Sequence, residues 1–137
     1  MPDAEATAVL DASALMAVLH DEDGAEAVID AITEGAAISV ANWAEVLSKF
    51  AERGRDPERA AREARKAEGS RRALMIEPLT AADCIAVARL RPITKAQGLS
   101  LADRACLALA ARLGVPALTA DSEWAKADVD ADVLLIR

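Results

Sequence analysis

The strongest constraint in this chain is an alternation. Short, wholly apolar or nearly apolar runs keep returning between longer stretches patterned as helices. Such runs suit strands buried on both faces, and strands that alternate with helices build βαβ units around a parallel sheet. The runs are Ala8 to Leu10, Ala37 to Val40, Ala73 to Ile76, Val115 to Thr119 and Val133 to Ile136. Helices fill the gaps. Ser13 reads as the N-cap of the first, and a second spans Ala25 to Ile32, stopping near Gly35. Asn42 caps a third from Trp43 to about Arg53, and Pro57 starts a fourth that reaches about Glu68. Thr80 caps a fifth from Ala81 to about Leu90, followed by a loop from Arg91 to Gly98. Ser100 caps the most regular one, Leu101 to Leu113, which Gly114 ends. Ser, Thr and Asn belong at such starts because their side chains accept orphan backbone N–H groups, and Pro is tolerated in the first turn. The expected class is therefore α/β, a mostly parallel sheet of about five strands with helices on both faces. With 137 residues and no repeat or linker, one domain over 1–137 is expected.

Composition narrows the chemistry. His20 is the only histidine, so no imidazole pair can share acid and base roles. Cys84 and Cys106 stand alone, which excludes a cysteine-rich zinc site and a zinc deaminase centre. There is no Tyr and only Phe50, Trp43 and Trp124 are aromatic, too few for a base-stacking sheet. No Walker A loop and no G-x-G-x-x-G turn occurs. Met1 to Thr7 carries Asp3 and Glu5 without Lys or Arg, unlike a signal peptide, and the apolar stretches are too short to span a bilayer. With two unpaired cysteines, this points to a reducing cytoplasm and no membrane. Both cysteines lie on expected helices and read as small core residues. His20 reads as a helix-end polar residue, and the two tryptophans as packing anchors. Asp128 to Asp132 reads as a solvated turn.

What remains is acid. Ligands of open α/β sheets bind beyond the carboxyl ends of the strands. Asp11 ends the first strand, Glu45 lies in the first turn after the second, and Asp121 follows the fourth. Asp103 opens the helix that leads into the fourth strand. Four carboxylates brought together repel one another, and burial adds to the cost. A divalent cation removes that cost, and an all-oxygen donor set selects Mg²⁺ or Mn²⁺. The chemistry such a site supports is metal-assisted phosphodiester hydrolysis, which needs no His, Cys or Tyr. Each acid also has a purely structural reading. Ser100 to Asp103 and Asn42 to Glu45 both fit capping-box spacing, Asp121 suits a turn cap, and Asp11 a polar strand end. The readings are compatible, since one carboxylate oxygen can take an N–H while the other holds a cation.

The formal charge of −7 disfavours whole-molecule attraction to nucleic acid. The charge is uneven, however: Lys49 to Arg72 holds nine basic residues against five acidic ones. That segment, Arg53 and Arg59 included, is a candidate phosphate-steering surface. The alternative is a solvated helix face laced with pairs such as Glu58–Arg62.

The runs Val9 to Leu15, Asn42 to Val46, Leu99 to Ala110 and Leu118 to Trp124 together resemble the four motifs of PIN domains, above all those of the VapC ribonuclease toxins of type II toxin–antitoxin pairs. The resemblance spans nearly the whole chain in order. It implies a PIN-like three-layer α/β/α fold and a Mg²⁺- or Mn²⁺-dependent endoribonuclease. It further implies a VapB-like antitoxin partner and a homodimer or a heterocomplex with that antitoxin. Carried over by position, Asp11 and Asp103 would be the principal metal ligands, and Glu45 and Asp121 would complete the catalytic acids. Ser13 and Thr119 would be neighbouring substrate contacts. Glu123 stands two residues from Asp121 and competes for its role. The runner-up reading is a catalytically silent PIN-like module that binds antitoxin or RNA without cleaving. Cleavage of DNA by the same chemistry stays open.

Overall fold

A computed structural model describes residues 5–67 and 74–137, with the side chains of 65–67 left out of the account. The element order is β1 (Ala8–Leu10), α1 (Ala12–Leu19), α2 (Ala25–Glu34), β2 (Ala36–Ser39), α3 (Val40–Glu52) and α4 (Pro57–Ala67). Then come β3 (Leu74–Glu77), α5 (Ala81–Thr94), α6 (Leu101–Leu113), β4 (Ala117–Thr119) and β5 (Val133–Leu135). Two 3-10 turns, Lys95–Gln97 and Ser122–Lys126, follow α5 and β4. The five strands form one sheet in the order β3-β2-β1-β4-β5, and every pairing is parallel.

The period of two along the strands assigns the layers. Ala8 and Leu10 of β1, Ala36 and Ile38 of β2, and Leu74 of β3 join one core cluster. They pack with Leu15 and Met16 of α1, Val28 and Ile32 of α2, and Val46 and Phe50 of α3. Val9, Ala37 and Ala117 point the other way, against Cys106, Leu107 and Ala110 of α6 and against Trp124. Val87 of α5 closes over Ala105 and Ala108 of α6. The central strands are buried along their whole length, as the unbroken apolar runs require, whereas β5 at the edge leaves Leu134 and Leu135 exposed.

The chain winds outward from β1 through β2 to β3, then crosses back to β4 and β5 on the other side. The direction reverses between β1 and β4, which leaves a crevice at their carboxyl ends.

Local differences from expectation have local causes. Ser39 caps α3 by accepting from the Ala41 N–H (3.2 Å), so the helix absorbs Val40 and begins before Asn42. Asn42 is wholly buried inside α3, and the Asn42–Glu45 capping box does not form. In α1 the cap is Asp11, not Ser13. α5 runs on through Pro92 to Thr94, whose hydroxyl donates to the Leu90 carbonyl (2.7 Å) beside the bond that proline cannot make. Cys84 is exposed, not a core residue; Cys106 is buried. Glu68, Arg71, Arg72 and Ala73 lie outside the described residues.

Candidate active site

Asp11 leaves β1 at the crevice and is held from several sides. Its backbone N–H donates to the Leu118 carbonyl of β4 (3.1 Å). One carboxylate oxygen, Oδ1, accepts the Ala14 N–H (2.8 Å) and so caps α1. The Ser13 hydroxyl lies 2.7 Å from Oδ1, and the Thr119 hydroxyl donates to Oδ2 (2.6 Å). Ser13 in turn accepts the Ala120 N–H (2.9 Å), and Thr119 accepts that of Asp121 (3.1 Å). The network ties the ends of β1 and β4 together around a carboxylate that is only 4% exposed.

The other acids come from helix starts and a turn. Ser100 and Asp103 form the expected capping box, with the Ser100 N–H on Asp103 Oδ2 (2.9 Å). Asp121 caps the turn after β4 by accepting the Glu123 N–H (3.0 Å) on Oδ1. Glu45 lies in the second turn of α3. Asn42, one turn earlier, donates from Nδ2 to the Ala102 carbonyl (3.1 Å), joining the Glu45 helix to the residue before Asp103. Its Oδ1 is buried without a partner among the described residues.

All four acids and Ser13 line one cavity of about 290 Å³. Their charges reach one another. Burial pushes the Asp11 carboxyl above its ordinary range, and Asp103 pushes it further, against the hydrogen bonds from Thr119, Ala14 and Ser13. Burial also raises Glu45, helped by Asp103 and Asp11 and opposed by Lys49. The donor set fits a hard divalent cation in kind: oxygen only, anionic and self-repelling, with Lys49 relieving Glu45 but no cation easing Asp11 among the described residues. Among the described residues, no three Asp, Glu, His or Cys side chains converge into a preformed ion-holding group.

The basic candidates divide. Arg53 lines the cavity; Arg59 does not, and pairs with Glu63 (3.2 Å) on exposed α4. Arg55, just before α4, shares Glu63 (2.5 Å), and Arg62 stands 3.9 Å from Glu58, so for these residues the paired-surface reading describes the structure. Thr119 is fully buried and serves Asp11. Glu123 pairs with Lys126 (2.5 Å) and does not line the cavity. Lys49, counted in the basic segment, lines it too, as its place four residues after Glu45 on the same helix face allows. Sequence reasoning missed His20 and Arg137, which also line it. Arg137 comes from the far end of the sheet and left no local signal.

A model of the PIN domain family matches residues 8–130. The chain belongs to the PIN domain family. Solved structures agree on the fold. A toxin–antitoxin complex from Klebsiella pneumoniae contains a chain 20% identical, with a TM-score of 0.70, over 95% of this chain and 98% of that one. DNA-bound VapBC from Salmonella typhimurium gives 15% identity and a TM-score of 0.71, over 96% and 98%. VapBC-5 of the VapBC toxin–antitoxin family, from Mycobacterium tuberculosis, gives 25% identity and a TM-score of 0.55, over 96% and 98%. No curated protein matches in sequence. Among the described residues of this PIN domain, no helix is long and apolar enough to cross a membrane.

Proposed function

We propose that this PIN domain is a VapC-like toxin, a metal-dependent endoribonuclease that hydrolyses RNA phosphodiester bonds in the cytoplasm. The observation that carries the reading is the meeting of Asp11, Glu45, Asp103 and Asp121, from four separate segments, in one cavity at the β1–β4 switch point. Asp11 and Asp103 would hold Mg²⁺ or Mn²⁺, with Glu45 and Asp121 completing the set. A bound ion lowers the pKa of a water and polarises a phosphate oxygen. The protein's own groups prepare that chemistry. Ser13 and Thr119 fix Asp11, the Ser100 N–H fixes Asp103, and the Glu123 N–H fixes Asp121. Ser13 and Arg53, at the cavity wall, would contact the RNA. The toxin–antitoxin complexes among the structural neighbours support a VapB-like antitoxin as partner, with the toxin as a homodimer or in that heterocomplex.

A second reading, a silent PIN module that binds antitoxin or RNA without cleaving, draws on the lack of a preformed ion-holding trio among the described residues. One experiment separates the two. The purified chain, freed of any partner, is incubated with RNA, single-stranded DNA and duplex DNA, with Mn²⁺ or with EDTA. The toxin reading expects RNA cleavage that needs Mn²⁺ and disappears in folded Asp11→Asn and Asp103→Asn. Partner binding without cleavage by the wild type would establish the silent module instead.

A further inference from the structure

Asn42 is the residue of α3 that stability explains least. Asparagine is a poor helix former whose side chain favours caps and turns. Here Ser39 does the capping, and Asn42 sits inside the helix at 0% exposure. Its Nδ2 donates to the Ala102 carbonyl (3.1 Å), and its Oδ1 has no partner among the described residues. An acceptor stripped of water without a replacement bond destabilises the fold. A leucine of similar size would occupy the same space and strand nothing, because helix geometry gives the Ala102 carbonyl a second donor, the Cys106 N–H of α6.

The place of the amide's one bond supplies another reason. Glu45 follows Asn42 by three residues, so the two lie on the same face of α3. Ala102 precedes Asp103 in the first turn of α6. The bond therefore pins the turn that carries Glu45 to the turn that carries Asp103. Among the described residues it is the only hydrogen bond between α3 and α6. The other three acids have braces of their own: Asp11 has Ser13, Thr119 and the Ala14 N–H, Asp103 has the Ser100 N–H, and Asp121 has the Glu123 N–H. No described residue hydrogen-bonds the Glu45 carboxylate, and the charges of Asp103 and Asp11 repel it. Its position depends on where α3 is held.

We infer that Asn42 is a positioning residue of the acidic site: its amide fixes the spacing between Glu45 and Asp103, and thereby the affinity of the site for a divalent cation. It acts through the two helices, since it is not among the residues that line the cavity, and it moves no proton. The fold keeps a half-satisfied amide in its interior and gains a rigid link between two carboxylates that repel each other. The inference rests on the reading of the four acids as a metal site.

The test measures ion binding apart from cleavage. Free Mn²⁺, read by electron paramagnetic resonance as the purified chain is titrated, gives the Kd, and urea midpoints in EDTA give the stability. Asn42→Leu and Asn42→Ala should each weaken Mn²⁺ binding about tenfold, the lower end of the loss seen when a group that orients metal ligands is removed. Their stabilities should part. Asn42→Leu should melt at or above the wild-type midpoint, since the orphan acceptor is gone, and Asn42→Ala below Asn42→Leu, since it leaves a cavity. Val46→Ala, a cavity elsewhere in the buried face of α3, should lower the midpoint and leave Mn²⁺ binding within about twofold. Binding that is unchanged in both Asn42 variants, or that falls as far in Val46→Ala, overturns the positioning role and leaves the nuclease reading in place. A wild type that binds no Mn²⁺ overturns both. Binding that depends on Asn42, without any RNA cleavage in Mn²⁺, keeps the positioning role and removes the nuclease reading.

Discussion

Asp11 and Asp83 are each only 4% exposed, though Asp11 lies much deeper in the protein, and each helps to cap a helix. Their surroundings are opposite. Asp83 sits in the Thr80 capping box at the start of α5 and takes two bonds from Arg112 of α6, 2.9 and 3.2 Å long. Burial alone would raise its carboxyl, but the Thr80 N–H and the guanidinium outweigh that and leave it below the ordinary range. Asp11 has hydroxyls and one N–H but no cation, faces Asp103, and is raised. Low exposure by itself therefore does not mark a site in this fold. What marks it is a buried acid whose counter-charge the chain does not supply. The α5–α6 corner is electrostatically closed; at the β1–β4 corner no cation among the described residues meets Asp11, which leaves it open in that sense.

The sharpest way to break this contrast is to neutralise each acid in turn. Asp11→Asn should cut Mn²⁺-dependent RNA cleavage by more than about a hundredfold, the upper end of the cost for losing even an outer-sphere partner of a metal. Asp83→Asn should leave the activity of the folded fraction within about threefold. Cleavage rates normalised to folded protein decide it, and equal losses would mean that the two corners do not differ in kind.

Ion binding comes next in size. Mn²⁺ at about a hundred times its Kd should stabilise the wild type by about 2.7 kcal/mol, because it binds the native state alone. Urea melts with Mn²⁺ and with EDTA measure this. The gain should vanish in Asp11→Asn and persist in Asp83→Asn. An undiminished gain in Asp11→Asn would place the ion elsewhere.

In EDTA the order of damage should reverse. Asp83→Asn strands the Arg112 guanidinium against a neutral amide and should cost about 1–3 kcal/mol, the range for leaving a hydrogen-bonding group unsatisfied, with the partly exposed arginine favouring the lower end. Asp11→Asn removes a charge that nothing neutralises and should cost less. A larger loss at Asp11 would show that its hydroxyl network outweighs its desolvation.

The same contrast explains what could be read from the sequence. Uninterrupted apolar runs announce buried parallel strands, and caps before periodic segments announce helices, so layers and sheet were legible from local pattern alone. The four acids were legible because the strand ends give them an address. The helix starts were less so. Asp11 and Ser13 both suit an N-cap, and the choice fell on Asp11 because the Ser13 hydroxyl points back to the carboxylate. Asn42 is a good capping residue by type, yet a partner sixty residues away, the Ala102 carbonyl, draws it inside. Pro92 reads as a breaker, but a turn anchored by Thr94 carries the helix past it. Arg59 and Arg53 look alike in the sequence; only the packing of α3 against the crevice separates a cavity residue from a surface pair. Tertiary contacts decided each of these, and no local window contains them.

The smallest effect, and the one with the most distinctive sign, is the response of ion-free stability to pH. Asp11 and Glu45 hold their protons in the native state to a higher pH than in the unfolded chain, because burial and neighbouring acids disfavour their charged forms. As pH rises above the ordinary carboxyl range, the unfolded state has released protons that the native state still holds, so stability falls across that window. Asp83 does the reverse. Its native carboxyl ionises first, so its contribution is present above the ordinary range and is lost as pH falls through the depressed value. In EDTA the two corners should therefore produce a maximum near the ordinary carboxyl range, with the arm on its neutral side set by the open corner and the arm on its acid side by the closed one. Urea midpoints at stepped pH values resolve the two arms. Asp11→Asn should shallow the neutral arm and spare the acid arm; Asp83→Asn should do the opposite; Mn²⁺ should lift the neutral arm of the wild type. A stability that climbs steadily from acid to neutral pH in EDTA would mean that the acids at the β1–β4 crevice carry no unmet charge, and the distinction between an open and a closed corner would fail with it.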